Sequence, residues 1–181
     1  MITYTNIRYT DFYSFFNVSE VSREKKPDGS SLVRSKPGGF QEFIDIEFMI
    51  DRDDYLKEAI LWLDRQWIGD ENNLNVFAKD IAKSFIHDTI GTGLQDQIEP
   101  IVQMLFNVKG GEDHVITLNG DGPPSVDEVG IPELRQVILT FAGLESSWSL
   151  NLYEAQIHME NVQIDERYRL RISVCYQGNS S

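Results

Sequence analysis

The chain has 181 residues, of which 41% are hydrophobic, and its 29 acidic and 16 basic side chains give a formal net charge of −13. This length is enough for one domain with a substantial core, and the apolar content excludes disorder over most of the chain. The negative charge disfavours nucleic acid as a partner, because a polyanion would be repelled. The chain has no run of about 18 apolar residues, so we expect no membrane span.

The single cysteine, Cys175, cannot form an internal disulfide. The first twelve residues also lack the basic start and apolar run of a secretory signal. We therefore expect a soluble cytoplasmic protein.

The acidic side chains are concentrated in two segments. Residues 42–80 hold eleven acidic and four basic side chains, and residues 109–133 hold six and one. Such surfaces keep proteins soluble, and they can also steer a basic protein partner towards them.

The first 39 residues predict a strand, an aromatic plug and a hairpin. Residues 2–9 alternate in polarity, which favours a strand, and the aromatic cluster at 11–16 predicts a short helix or a bend against the core. Pro27-Asp28-Gly29 predicts the turn of a hairpin over residues 18–36, because proline presets φ and glycine accepts positive φ. A flexible loop is the alternative for this hairpin.

The segment Glu42–Ile50 predicts the central strand. Side chains alternate between faces in a strand, so one face here is wholly apolar: Ile44, Ile46, Phe48 and Ile50. We expect this face to line the core. The opposite face is mixed and should meet water or a partner: Phe43, Asp45, Glu47 and Met49.

Residues 54–106 predict a helical insertion. Asp53 is suited to cap a helix over 54–68, in which one apolar stripe recurs at spacings of three and four: Leu56, Ala59, Ile60, Leu63 and Trp67. Leu61 and Trp62 lie off that stripe, so this helix is either buried on two sides or presents an apolar patch. Two further helices are predicted, over 73–87 and over 94–107, the latter interrupted by Pro100.

The C-terminal part predicts a β meander. We expect a short strand at 114–118, a loop up to Pro132, and an inner strand at 136–142 from its continuous apolar run. Residues 148–161 predict one strand whose apolar face changes side near Leu152, as at a bulge.

The last predicted strand, 167–177, should form a hairpin with residues 148–161 through 162–166. Its outer face would set acidic side chains and a histidine against arginines as a ladder of opposite charges: Glu154, His158 and Glu160 against Arg167, Arg169 and Arg171.

These elements predict a single α+β domain over residues 1–181. A mostly antiparallel sheet takes strand 42–50 and the C-terminal meander at 112–177, and the helices of 54–106 pack on one face. Because the helices are segregated from the late strands, a doubly wound parallel sheet is disfavoured.

Few residues suggest chemistry. The clustered carboxylates lack the spacing of a calcium loop, so we expect no metal: Asp45, Glu47, Asp51, Asp53 and Asp54. We also expect no cofactor, because the chain has no phosphate-binding glycine loop. Asp113 and His114 are a weak catalytic pair beside the 119–132 loop. Cys175 would lie near Arg171, and a nearby cation lowers the pKa of a thiol, which favours reactivity. Because no base is identified beside it, we expect an ordinary structural cysteine instead.

Three functional hypotheses follow. The first is a non-enzymatic module that holds a basic protein, as an inhibitor or immunity-type protein does, with contacts through Asp45, Glu47, Asp51, Asp127 and Glu128. The second is a small hydrolase that uses the 112–133 loop with Asp113 and His114. The third is a homo-oligomeric or assembly subunit that uses Leu61 and Trp62.

Overall fold

The computed structural model describes residues 1–99 and 132–178. In this part of the chain, seven strands form the main sheet: β1 Ser19–Lys25, β2 Ser31–Lys36, β3 Ile44–Ile50, β4 Leu56–Asp64, β7 Ser147–Asn151, β8 Ala155–Ile164 and β9 Arg167–Tyr176. All neighbouring strands are antiparallel, and their order across the sheet is β1-β2-β3-β4-β9-β8-β7. A small hairpin pairs β5, Gly69–Asp70, with β6, Asn73–Leu74.

Two helices precede β1 in the sequence, and the other helices lie between β4 and β7. They are α1 Tyr4–Ile7, α2 Asp11–Phe15, α3 Arg65–Ile68, α4 Val76–Thr89 and α5 Pro132–Phe141, with a 3-10 turn at Thr92–Leu94. Residues 95–99 are helical as well. The predicted α+β architecture with a mostly antiparallel sheet is confirmed.

The core lies between one face of the sheet and the helices. The four apolar residues of β3 predicted to line the core are buried, and the intervening residues are half-buried. Helix α4 packs on β4 and β9, while α5 packs on β7 and β8. The predicted hairpins β1–β2 and β8–β9 are also confirmed, and Phe12 of the aromatic cluster is fully buried.

The predicted helix over 54–68 is wrong, because residues 56–64 form strand β4. Ala59, Leu61 and Leu63 are fully buried at alternate positions, and the intervening side chains are half-buried. The register shifts at the start of this strand, where Ile50 pairs with Leu56 and Met49 pairs with Glu58. That irregularity gives Leu56 and Ala59 a helix-like spacing of three.

The predicted inner strand at 136–142 is also wrong, because these residues belong mostly to helix α5. Val137, Ile138 and Phe141 are buried together at helical spacing. The Thr140 hydroxyl donates to the carbonyl of Gln136, four residues earlier. A short apolar run cannot distinguish a buried strand from a buried helix.

Two smaller predictions are also wrong. Within residues 2–9, which were predicted as a strand, Tyr4–Ile7 form the short helix α1. The single bulged strand over 148–161 is two strands, since the chain turns back at residues 152–154 between β7 and β8. The predicted strand at 114–118, the predicted loop up to residue 131 and most of the 94–107 helix lie outside the described residues.

The strand assignment of residues 56–64 makes a sharp prediction. On the strand, Leu61 faces the core and Ile60 faces away, whereas the helical pattern placed Ile60 on the core stripe. We expect Leu61→Ala to lower the free energy of unfolding by about 2–5 kcal/mol, through lost burial and a cavity. Ile60→Ala should cost roughly 1 kcal/mol, the typical effect of a single substitution.

Urea denaturation of both variants measures this difference. Equal losses, or a larger loss for Ile60→Ala, would contradict the placement of β4.

Candidate functional site

The outer face of the sheet, away from the helices, is centred on Trp62 of β4. The guanidinium carbon of Arg169 lies 4.4 Å from the ring centroid of Trp62, and that of Arg171 lies 5.7 Å from it. The indole Nε1 of Trp62 donates to Glu47 Oε1 at 2.7 Å. The indole therefore interacts with two cations through its face and with a carboxylate through its edge.

Carboxylates on β3 and β4 bind the same arginines. Asp45 accepts from Lys36 Nζ at 2.7 Å and from Arg169 Nη1 at 3.2 Å. Arg171 Nη2 donates to Glu58 Oε1 at 2.9 Å. The outer face is therefore a network in which acidic side chains pair with basic ones, although the buried Nε of Arg169 has no hydrogen-bond partner among the described residues.

Asp51 shapes the turn between β3 and β4. Its Oδ1 accepts from the backbone amides of Asp53 and Tyr55, each at 2.9 Å. Burial acts to raise the pKa of Asp51, but these two amides and Lys57 outweigh burial and hold the pKa below its usual value. Asp53, predicted to cap a helix, lies in this turn instead.

The three described carboxylates of the hypothesised partner-binding set are thus engaged within the molecule. Asp45 and Glu47 pair across strands, and Asp51 holds a turn. The other two, Asp127 and Glu128, lie outside residues 1–99 and 132–178, as do Asp113 and His114.

The predicted apolar patch of Leu61 and Trp62 is wrong. The two residues are consecutive on β4, so their side chains lie on opposite faces of the sheet. Leu61 is fully buried in the core, and Trp62 belongs to the outer network.

The charges of β8 and β9 only partly form the predicted ladder. Glu160 lies opposite Arg171 in the register, but Arg171 and Arg169 direct their guanidinium groups to β4 and β3. His158 contacts Glu160 on its own strand at 3.4 Å, and its Nδ1 lies within hydrogen-bond distance of Ser149 Oγ on β7.

Glu154, another member of the predicted ladder, accepts from the amino terminus at 3.2 Å.

Cys175 is not part of this ladder. The thiol of Cys175 has its pKa raised by burial and by Glu58, against a smaller lowering by Arg171. The structure therefore does not support an activated thiol.

A second surface with exposed aromatic side chains lies on the helix side of the sheet, where α2, α4 and the loop before β3 meet. We call it the aromatic groove. It encloses a hollow of about 290 Å³. Its lining consists of Phe15, Phe16, Asn17, Pro37, Gly38, Gly39, Phe40, Ile44, Trp67, Phe77 and Ile81.

The rings of the aromatic groove are strongly exposed for side chains of their size. Phe15 is 75% exposed, Phe77 58% and Phe40 45%. The ring centroid of Phe40 lies 5.3 Å from those of both Trp67 and Phe77, so one wall is a continuous aromatic surface. Clustered exposed rings of this kind are characteristic of interaction sites.

Phe40 is held in an unfavourable backbone conformation. Its φ is 55°, in the left-handed region, which costs a residue with a Cβ about 1–2 kcal/mol. The two preceding residues are glycines, and a Cβ on Gly38 would lie 2.9 Å from Asn17 Nδ2. The chain therefore approaches α2 closely and then turns Phe40 towards Trp67 and Phe77.

Hydrogen bonds fix the loop that carries Phe40. The amide of Gly38 donates to the carbonyl of Phe16 at 2.9 Å, and the amide of Phe43 donates to that of Phe40 at 3.0 Å. Gln41 Nε2 donates to the Pro37 carbonyl, and Lys36 Nζ donates to the carbonyls of Gln41 and Ile44. A loop fixed in this way loses little conformational entropy when a ligand binds.

A second hollow adjoins the aromatic groove and shares its Phe15 and Phe16 wall. We call it the acidic hollow. It is lined by Asp11 and Ser14 of α2, by Phe15 and Phe16, and by Asp80 and Ser84 of α4.

The sequence indicates the aromatic cluster at 11–16 but does not connect it with the loop that carries Phe40. The missing information was the position of α4, which determines where Phe77 lies. Phe77 lies in the first turn of α4 beside its N-cap Asn75, and it projects into solvent. The sequence signal that could have indicated this site is Phe40, an aromatic residue directly after Gly38 and Gly39.

Comparison of the chain with known protein families, with curated proteins and with solved structures gave no match. No helix within residues 1–99 and 132–178 has the length and apolarity to cross a membrane. The same residues contain no cluster of three or more His, Cys, Asp or Glu side chains arranged to hold a metal ion. A functional assignment therefore depends on the outer network and on the aromatic groove with its adjoining acidic hollow.

The outer network makes a prediction about Asp45. Asp45→Asn removes the negative charge that Lys36 and Arg169 share, and we expect it to lower the free energy of unfolding by about 1 kcal/mol, as for a favourable partly buried ion pair. The matched control is Asp53→Asn, because Asp53 is 66% exposed and Asp45 33%.

The control should lower the free energy of unfolding by less than about 0.5 kcal/mol. Chemical denaturation of both variants at low ionic strength is the measurement. Equal stabilities would show that the network contributes nothing and would leave Asp45 available to a partner.

Proposed function

We propose that this protein is a non-enzymatic protein-binding module and that its partner docks in the aromatic groove. The observation that carries the proposal is Phe40, a large aromatic residue held at positive φ with its ring exposed. Backbone strain of this kind persists only where the surroundings enforce it, and it is concentrated at functional positions.

The shape of the aromatic groove supports the same function. Its hollow of about 290 Å³ is large enough for one bulky side chain. Exposed aromatic residues around such a hollow resemble the energetic centre of a protein interface, where a few Trp, Tyr, Phe and Arg residues supply most of the affinity.

The net charge of −13 favours a basic partner. Charge complementarity accelerates association and makes it sensitive to salt, while the apolar contact supplies most of the affinity. We therefore keep the hypothesis of an acidic module that binds a basic protein. The contact surface that we propose is the aromatic groove rather than Asp45, Glu47 and Asp51.

A second candidate is self-association. The same groove could hold another copy of this chain, which would make the protein a homo-oligomer. The hydrolase hypothesis stays a prediction, because Asp113 and His114 lie outside the described residues.

The test uses the protein as bait with single substitutions in the aromatic groove. Phe40→Asn removes the ring and introduces a residue that adopts positive φ more readily than phenylalanine, so the fold should be retained. Phe77→Gln removes a second ring from the exposed side of α4. The control is Tyr153→Asn, since Tyr153 is 89% exposed and is not among the residues that line the groove.

We expect at least one protein from an extract of the source cells to bind wild type and Tyr153→Asn equally. Its affinity for Phe40→Asn and Phe77→Gln should fall by at least about thirtyfold, the effect of losing an interface residue worth 2 kcal/mol. Binding should also weaken as salt is raised. If every recovered protein binds Phe40→Asn as well as wild type, the proposal is wrong.

Sedimentation velocity at micromolar concentration distinguishes self-association. A wild-type dimer that Phe40→Asn converts to a monomer would identify a second copy as the occupant of the groove.

A further inference from the structure

The aromatic groove and the acidic hollow form one continuous surface along α4. The α4 residues that line them fall on one helical stripe: Phe77, Asp80, Ile81 and Ser84. Phe77 and Ile81 belong to the aromatic groove, and Asp80 and Ser84 belong to the acidic hollow. A single extended or helical segment lying along this stripe would contact both.

The acidic hollow determines which ligand suits the second position. Asp11 and Asp80 present carboxylates from two helices, and Ser14 and Ser84 add hydroxyl groups. The lysines of α4, Lys79 and Lys83, lie off the stripe, but Asp80 still acts on Lys79: burial lowers the pKa of Lys79, and the Asp80 carboxylate opposes that lowering. Carboxylates with hydroxyl neighbours favour a lysine or arginine and disfavour an acidic side chain.

Phe15 borders both the aromatic groove, which suits an apolar side chain, and the acidic hollow, which suits a basic one. Its ring is 75% exposed and forms part of the wall shared by both hollows. A cationic side chain that crosses this ring towards Asp11 or Asp80 would also gain a cation–π contact. Because the two hollows share this wall, a ligand that fills both must carry its apolar and basic side chains close together in its own sequence.

We propose that the aromatic groove binds a peptide segment of a partner protein that carries one large apolar side chain and a lysine or arginine a few residues from it. The apolar side chain fills the aromatic groove, and the basic side chain passes over Phe15 into the acidic hollow. This inference rests on the proposed function and specifies the chemistry of the partner.

The experiment is selection of a phage-displayed library of random twelve-residue peptides on the wild-type protein, after which the affinity of each enriched peptide is measured for wild type and for Phe40→Asn. We expect the enriched peptides to contain Trp, Phe or Leu with Lys or Arg within about four residues, the reach of a short extended segment. Acidic residues should be depleted at those neighbouring positions.

Affinities of the enriched peptides are then measured on the double variant Asp11→Asn/Asp80→Asn. We expect binding to weaken roughly tenfold, as for two surface charge contacts, and to lose most of its salt dependence. The matched control is Asp165→Asn, in the β8–β9 turn, where Asn tolerates the positive φ of Asp165 and binding should be unchanged.

The outcomes separate the two proposals. Peptides that bind Phe40→Asn as well as wild type would overturn both the use of the groove and this inference. Peptides that require Phe40 but show no preference for a basic residue, or bind the Asp11→Asn/Asp80→Asn variant unchanged, would overturn this inference alone. Self-association that depends on Phe40 would also overturn it, since the occupant would then be a second copy.

Discussion

The pairing of β4 with β9 is the interaction on which the rest of the structure depends. Strands β1 to β4 and strands β7 to β9 are two meanders, each connected locally, and β4–β9 is the pair that joins them into one sheet. Across this seam Leu61 faces Ile172 and Leu63 faces Leu170, all fully buried. On the other face, the arginines of β9 reach Asp45 and Glu58 across the same seam. Apolar packing and charge pairing therefore fix the same register from opposite sides.

The position of the aromatic groove follows from this seam. Helix α4 lies on β4 and β9, and α3 begins directly where β4 ends. Trp67 of α3 stacks on Phe43 with centroids 5.7 Å apart, and Phe43 precedes β3. Asp88 near the end of α4 accepts from the amide of Phe12 at 2.8 Å, which holds α2 against α4. Both walls of the groove are thus attached to the sheet, and the strained conformation of Phe40 is supported by rigid elements.

The sequence predicted elements well where one periodicity dominated. Strand β3 alternates without interruption, α4 repeats at three and four, and Pro27-Asp28-Gly29 identifies its hairpin. Prediction from the sequence failed where the same residues were compatible with both a helical and a strand periodicity. In 56–64 an irregular pairing at the start of the strand gave apolar residues a helical spacing, and in 136–142 a continuous apolar run fitted strand or helix equally. The outer network and the aromatic groove were not predicted, because each joins residues that only tertiary packing brings together. Arg169 and Asp45 are 124 positions apart.

Native-state hydrogen exchange followed by NMR tests the central role of the β4–β9 seam most directly. Amides that bridge β4 and β9 should be the slowest to exchange in residues 1–99 and 132–178, and their opening free energies should equal the global free energy of unfolding. The two meanders should lose protection together. Faster exchange at the seam than within β2–β3 and β8–β9 would show that the two halves separate before they unfold. That result would contradict the account of a sheet held together, and a groove held in place, by this one pairing.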